Sequence, residues 1–139
     1  MGQAICGGVA RWRSPKVQHL VAQKLYGVKD MDFENQTVPA TGIRISVMDN
    51  ETEVGRAYLY VMHNDLHERP FGLMEDVYVD EACRGKGVGS ELVKQVIRRA
   101  REANCYKLIA TSRISRSKVH DLYRRLGFTQ HGFEFRISF

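Results

Sequence analysis

Three glycines at alternate positions, Gly85, Gly87 and Gly89, stand in the stretch CRGKGVGSELVKQVIRRA (residues 83–100), with Arg84 and Lys86 among them. A turn alone needs one or two glycines. Three of them, interleaved with cations at the mouth of an apolar stripe, point to an anionic ligand, and a phosphate is the usual one. Glycine admits positive φ and lets the backbone approach a ligand closely. The first-turn N–H groups of the following helix would point at the anion, and the helix dipole would favour its charge. Arg84 and Lys86 would add charge-assisted bonds. The expected cradle is therefore Arg84, Gly85, Lys86, Gly87, Val88, Gly89 and Ser90.

Two common phosphate-binding patterns do not fit. A P-loop needs G-x-x-x-x-G-K-[ST], and neither Gly85 nor Gly87 starts one. A dinucleotide fingerprint needs G-x-G-x-x-G and a carboxylate at the end of the next strand. Here Ser90 stands at the third glycine, and the next strand ends in Ala110, Thr111 and Ser112. A third pattern, [RQ]-x-x-G-x-[GA] between a strand and a long helix, is matched by Arg84, Gly87 and Gly89. Metal chemistry is not expected. The five histidines lack ligand spacing, and Cys6, Cys83 and Cys105 form neither a disulfide framework nor a zinc site. Unpaired cysteines fit a reducing, cytoplasmic setting.

The elements that must position this loop follow from periodicity. The 139 residues fit one domain, 1–139, long enough for its own core. A short apolar segment near 4–10 reads as a first strand. Ser14 and Pro15 read as cap and first position of a helix carrying Val17, Leu20, Val21 and Leu25 and stopped by Gly27. A short second helix is expected within 28–41. TGIRISVMDNETEVGRAYLYVMHN reads as a hairpin turning at Asp49 and Asn50, and FGLMEDVYVD as the strand that delivers the glycine loop. Leu92, Val93, Val96, Ile97, Ala100 and Ala103 recur at helical spacing. YKLIATS is a buried-type strand, SRSKVHDLYRRLGF a helix stopped by Gly127, and FTQHGFEFRISF one or two closing strands. The fold class expected is a mixed α/β domain around one central sheet. No apolar run spans a membrane, and the N-terminal residues lack a signal peptide's apolar stretch.

Over residues 73–128 the chain resembles the GNAT superfamily of acyl-CoA-dependent N-acyltransferases. The resemblance rests on the strand LMEDVYV, the loop RGKGVGS with its helix, the next strand, and LYRRLGF about 35 residues after the loop. It implies a mostly antiparallel sheet flanked by helices, acetyl-CoA as donor substrate, and direct attack by an amine. An alkylamine has a pKa near 10.4 and must shed a proton first. The family often carries a carboxylate base two residues before the position of Val77, which implies Glu75, with Asp76 in reserve. It implies that the backbone at Val77, Tyr78 and Val79 lines the pantetheine arm, and that Tyr123 is the general acid for the leaving thiolate. A phenol of pKa about 10 can protonate a thiolate of pKa about 8.5 as charge develops beside it. One departure stands out. Many members carry asparagine seven residues before this tyrosine; here it is Arg116, a cation that could meet the coenzyme's phosphates.

Charge is divided along the chain. Residues 1–83 carry 8 Lys/Arg against 12 Asp/Glu, a net of −4, whereas residues 84–125 carry 12 against 3, a net of +9. A basic half suits a polyphosphate donor, and an acidic one suits a cationic amine acceptor, a small molecule or a peptide. A nucleic-acid partner has no motif to support it, and a non-catalytic acyl-CoA-binding module is the competing reading on the same fold. A homodimer is compatible with the sequence.

Overall fold

The computed structural model describes Trp12–Arg13 and residues 32–139. The expected strand near 4–10 and the helix from Ser14 lie outside the described residues. The chain divides into two compact units, Met1–Val38 and Pro39–Phe139. In the first, β1 (Trp12–Arg13) pairs antiparallel with β2 (Glu34–Asn35). Where a second helix was expected, residues 32–41 instead hold β2 and the start of the next strand.

The second unit contains β3 (Ala40–Asp49), β4 (Thr52–Met62), β5 (Phe71–Val79), α1 (Val88–Glu102), β6 (Leu108–Ala110) and α2 (Ser117–Arg125). The sheet order is β3-β4-β5-β6, with β3–β4 and β4–β5 antiparallel and β5–β6 parallel. This is a mixed α/β, mostly antiparallel sheet flanked by helices. Asp49 pairs with Thr52 around a two-residue turn at Asn50 and Glu51, where Asn50 takes φ 53°. Asn tolerates that left-handed conformation, so the hairpin forms where the sequence signals it. The parallel β5–α1–β6 connection uses a helical crossover, as parallel strands require.

One face of the sheet meets α1. Ala57, Leu59 and Val61 of β4, Met74 of β5, and Leu92, Val93, Val96 and Ala100 of α1 form the buried core. The helical residues fall at i, i+1, i+4 and i+8, the stripe a surface helix buries. Leu122, Tyr123, Leu126 and Phe128 from α2 and beyond pack at its margin. No helix among the described residues is long and apolar enough to cross a membrane.

The closing strands are a correction. Residues 128–139 form neither strand nor helix, and Phe133, Phe135, Ile137 and Phe139 are exposed. Their alternation supplies an apolar face but no ladder partner. A strand needs both, and none of the described strands pairs with this segment.

Candidate active site

Strand β5 carries one residue more than its neighbour can pair. Arg56 lies opposite Tyr78 and Tyr58 opposite Glu75, so Asp76 and Val77 together face Ala57. Asp76 takes φ 46°, the left-handed conformation of a β-bulge. Strict alternation would place Leu73, Glu75, Val77 and Val79 on one face. The bulge corrects that reading. Met74 and Val77 pack on the core under α1, and Val79 lies against Gly89 at its start, whereas Glu75, Asp76 and Tyr78 share the opposite face. On that face Asp76 is bound by Arg56 at 3.0 Å, and the same guanidinium lies 4.7 Å from the Tyr78 ring centroid. The Asp76 bond is the chief reason the Arg56 pKa is raised, with burial opposing it.

Just before the bulge, β5 and β6 stop pairing. Gly72, Leu73 and Met74 pair with Leu108, Ile109 and Ala110, and the ladder ends there. The next residues in register are Glu75 and Thr111. The Thr111 hydroxyl donates to Glu75 Oε1 at 3.4 Å in a partly buried contact. Beside it, the Ser112 hydroxyl is buried and has no hydrogen-bond partner. Beyond Met74 no described strand pairs with the edge of β5 that faced β6, and backbone groups of Val77, Tyr78 and Val79 lie along this part of the strand. The Val79 carbonyl accepts a bond from Arg84 Nε at 3.1 Å.

Tyr123, on α2, reaches the same region. Burial raises its pKa above the ordinary phenol value, the Glu75 charge raises it further, and the Arg116 charge opposes both. Its ring sits against Phe128, with centroids 5.2 Å apart. The structure thus places Tyr123 within electrostatic reach of Glu75 and of Arg116, and Thr111 in contact with Glu75, just past the carboxyl end of β6. Arg116 is the residue at the N-terminal cap of α2. Both Thr111 and Ser112 were missed as site residues from sequence. Their signal, two hydroxyls at the end of a strand parallel to β5, becomes legible only once the pairing is known.

The glycine loop follows directly from β5. Asp80 caps a short 3-10 turn, Glu81–Cys83, by accepting from the Ala82 N–H at 2.9 Å. Gly85 and Gly87 then take φ 78° and 87°, and a Cβ on either would meet no atom within 4 Å. Gly87 is the N-cap of α1 and offers no side chain to its first turn. The first intrahelical bond runs from Glu91 N–H to Gly87 C=O at 3.1 Å, so the N–H groups of Val88, Gly89 and Ser90 precede the helical ladder. Open space, unpartnered donors and a helix dipole together fit a pyrophosphate. Arg84 is held by Glu81 at 2.9 Å in an exposed pair, and Lys86 is exposed.

The model of the acetyltransferase (GNAT) family matches residues 11–128. A glucosamine 6-phosphate N-acetyltransferase of Trypanosoma brucei brucei is 36% identical over 70 residues, 50% of this chain and 46% of that protein. An aminoglycoside N(6')-acetyltransferase type 1 of Stenotrophomonas maltophilia is 34% identical over 85 residues, 59% of this chain and 55% of that protein. The chain thus spans about half the length of these curated relatives. Among solved structures, an acetyltransferase of Trypanosoma brucei superposes with a TM-score of 0.59 at 33% identity, covering 63% of this chain and 60% of that one. From the family match over most of its length, with the parallel β5–β6 pair and the glycine-capped helix between them, the chain belongs to the acetyltransferase (GNAT) family.

Proposed function

We propose that the protein is an N-acetyltransferase that moves an acetyl group from acetyl-CoA to a primary amine by direct attack. The observation that carries this reading is the meeting of Glu75 and Tyr123 where β5 and β6 part, one strand-end away from the glycine loop. Glu75 takes the proton from the attacking amine, directly or through water. Asp76 is the poorer base because its carboxylate is committed to Arg56. Tyr123 protonates the leaving thiolate, and its raised pKa keeps the phenol protonated until that charge develops. Gly85, Lys86, Gly87, Val88, Gly89 and Ser90 hold the pyrophosphate, with Arg84 released from Glu81 to join them. Val77, Tyr78 and Val79 offer backbone groups to the pantetheine arm, an N–H near Val77 meets the developing oxyanion, and Arg116 adds a cation for the phosphates.

The acceptor in this reading is a cationic amine. Acidic groups dominate residues 1–83, and opposed charges raise encounter rates. The two relatives named above carry amino-sugar names of opposite charge, an aminoglycoside and a sugar phosphate. The test is thiol release from acetyl-CoA across aminoglycosides, polyamines, lysine-containing peptides and glucosamine 6-phosphate, at low and high salt. Faster turnover of cationic amines, weakened by salt, is the expected result. A preference for glucosamine 6-phosphate overturns the acceptor class, and CoA binding without thiol release on any amine overturns the enzyme.

A further inference from the structure

We propose that Thr111 is a positioning residue that holds the Glu75 carboxylate at the point where β5 and β6 separate. The inference rests on the reading of Glu75 as the base. Side chains on neighbouring strands share a face when their residues are in register. Leu73 is paired with Ile109, so the residues two further on, Glu75 and Thr111, occupy the same face. At that point the backbone ladder has ended, and the contact between the strands is carried by side chains. Thr111 Oγ1 donates to Glu75 Oε1 at 3.4 Å across a separation of 36 residues.

Glu75 needs such a tie. It adjoins the bulge at Asp76, where the backbone takes φ 46°, and its own side chain has three rotatable bonds. The two adjacent carboxylates are sent to different partners: Asp76 to Arg56 at 3.0 Å, Glu75 to Thr111. Glu75 is thereby kept within electrostatic reach of the Tyr123 phenol, whose ionisation it opposes. Thr111 does not exchange a proton with substrate. It limits where the base can stand, and a base out of line slows proton transfer without loosening the donor.

The experiment is a kinetic cycle with Thr111→Val, Thr111→Ser, Glu75→Gln and the double variant Thr111→Val/Glu75→Gln, each checked for folding by its melting curve. Valine keeps the shape and removes the hydroxyl. Thr111→Val is expected to lower kcat about five- to tenfold, less than a short bond to a charged group would give, with KM for acetyl-CoA within about twofold. Thr111→Ser restores kcat. In the Glu75→Gln background, Thr111→Val adds no further loss, because its effect passes through the missing carboxylate. Unchanged kcat in Thr111→Val, failure of serine to rescue, or full additivity in the double variant overturns the positioning role while the base reading stands. Turnover in Glu75→Gln within a few-fold of wild type removes the base reading itself, and the positioning role falls with it.

Discussion

Gly87 and Gly127 offer a matched pair for asking whether the glycine loop is a ligand cradle or only a turn. Gly87 has φ 87° and Gly127 φ 92°, and a Cβ on either would meet no atom within 4 Å. Alanine at either site therefore carries no clash, and its cost is torsional, about 1–2 kcal/mol for a side chain held in the left-handed region. For a domain of this size that is a fall in Tm of roughly 3–8 °C, similar for both variants. They differ in what the new methyl group faces. At Gly127 it stands beyond the end of α2, and at Gly87 it stands at the mouth of the first turn of α1. Losing one or two charge-assisted bonds, at about 1.5–3 kcal/mol each, weakens CoA binding at least tenfold. Calorimetric titration with CoA should show that loss for Gly87→Ala and affinity within about threefold of wild type for Gly127→Ala. Affinity for CoA unchanged from wild type in folded Gly87→Ala refutes the cradle. Equal weakening shows that strain, and not the ligand, is being measured.

Tyr123→Phe should lower kcat about 10²–10⁴-fold with KM for acetyl-CoA nearly unchanged, read by thiol release; a change of only a few-fold makes the tyrosine a packing residue. Because the Tyr123 pKa is raised above the ordinary value of 10, the unfolded chain gives up this proton first as pH climbs. Stability should therefore decline above pH 10 in urea titrations, and Tyr123→Phe should remove that share of the decline. Ser112 buries a hydroxyl without a partner, so Ser112→Ala should leave stability unchanged or raise it by up to about 1 kcal/mol; a loss larger than that shows the hydroxyl to be bonded.

What was legible in the sequence was what local chemistry controls. The stripe Leu92, Val93, Val96 and Ala100 predicts α1, and those side chains are the buried ones. The hairpin, expected to turn at Asp49 and Asn50 and turning one residue on at Asn50 and Glu51, and the stop at Gly127 were legible because each depends on a residue's own tolerance for positive φ. The face on which Glu75 lies was not. Its grouping with Val77 assumed unbroken alternation, and the bulge sits at an aspartate, with no glycine to announce it. The tie between Thr111 and Glu75 joins positions 36 residues apart, and no local pattern encodes it. The segment from Phe133 to Phe139 shows the converse: flawless alternation predicts a strand, but ladder formation depends on a partner that the segment itself cannot specify.

Asp76 acts as a shim. Remove it from the count and β5 alternates without fault: Met74 inward, Glu75 outward, Val77 inward, Tyr78 outward, Val79 inward, each still opposite its present neighbour on β4. A chain lacking this one residue would keep its register and its core. It would also have a straighter β5, without the bend and added twist that a bulge gives a strand. Asparagine or glycine at position 76 would keep the bulge almost as well as aspartate, giving up only an exposed ion pair of small worth. Tolerance there is broad in residue type and narrow in residue number.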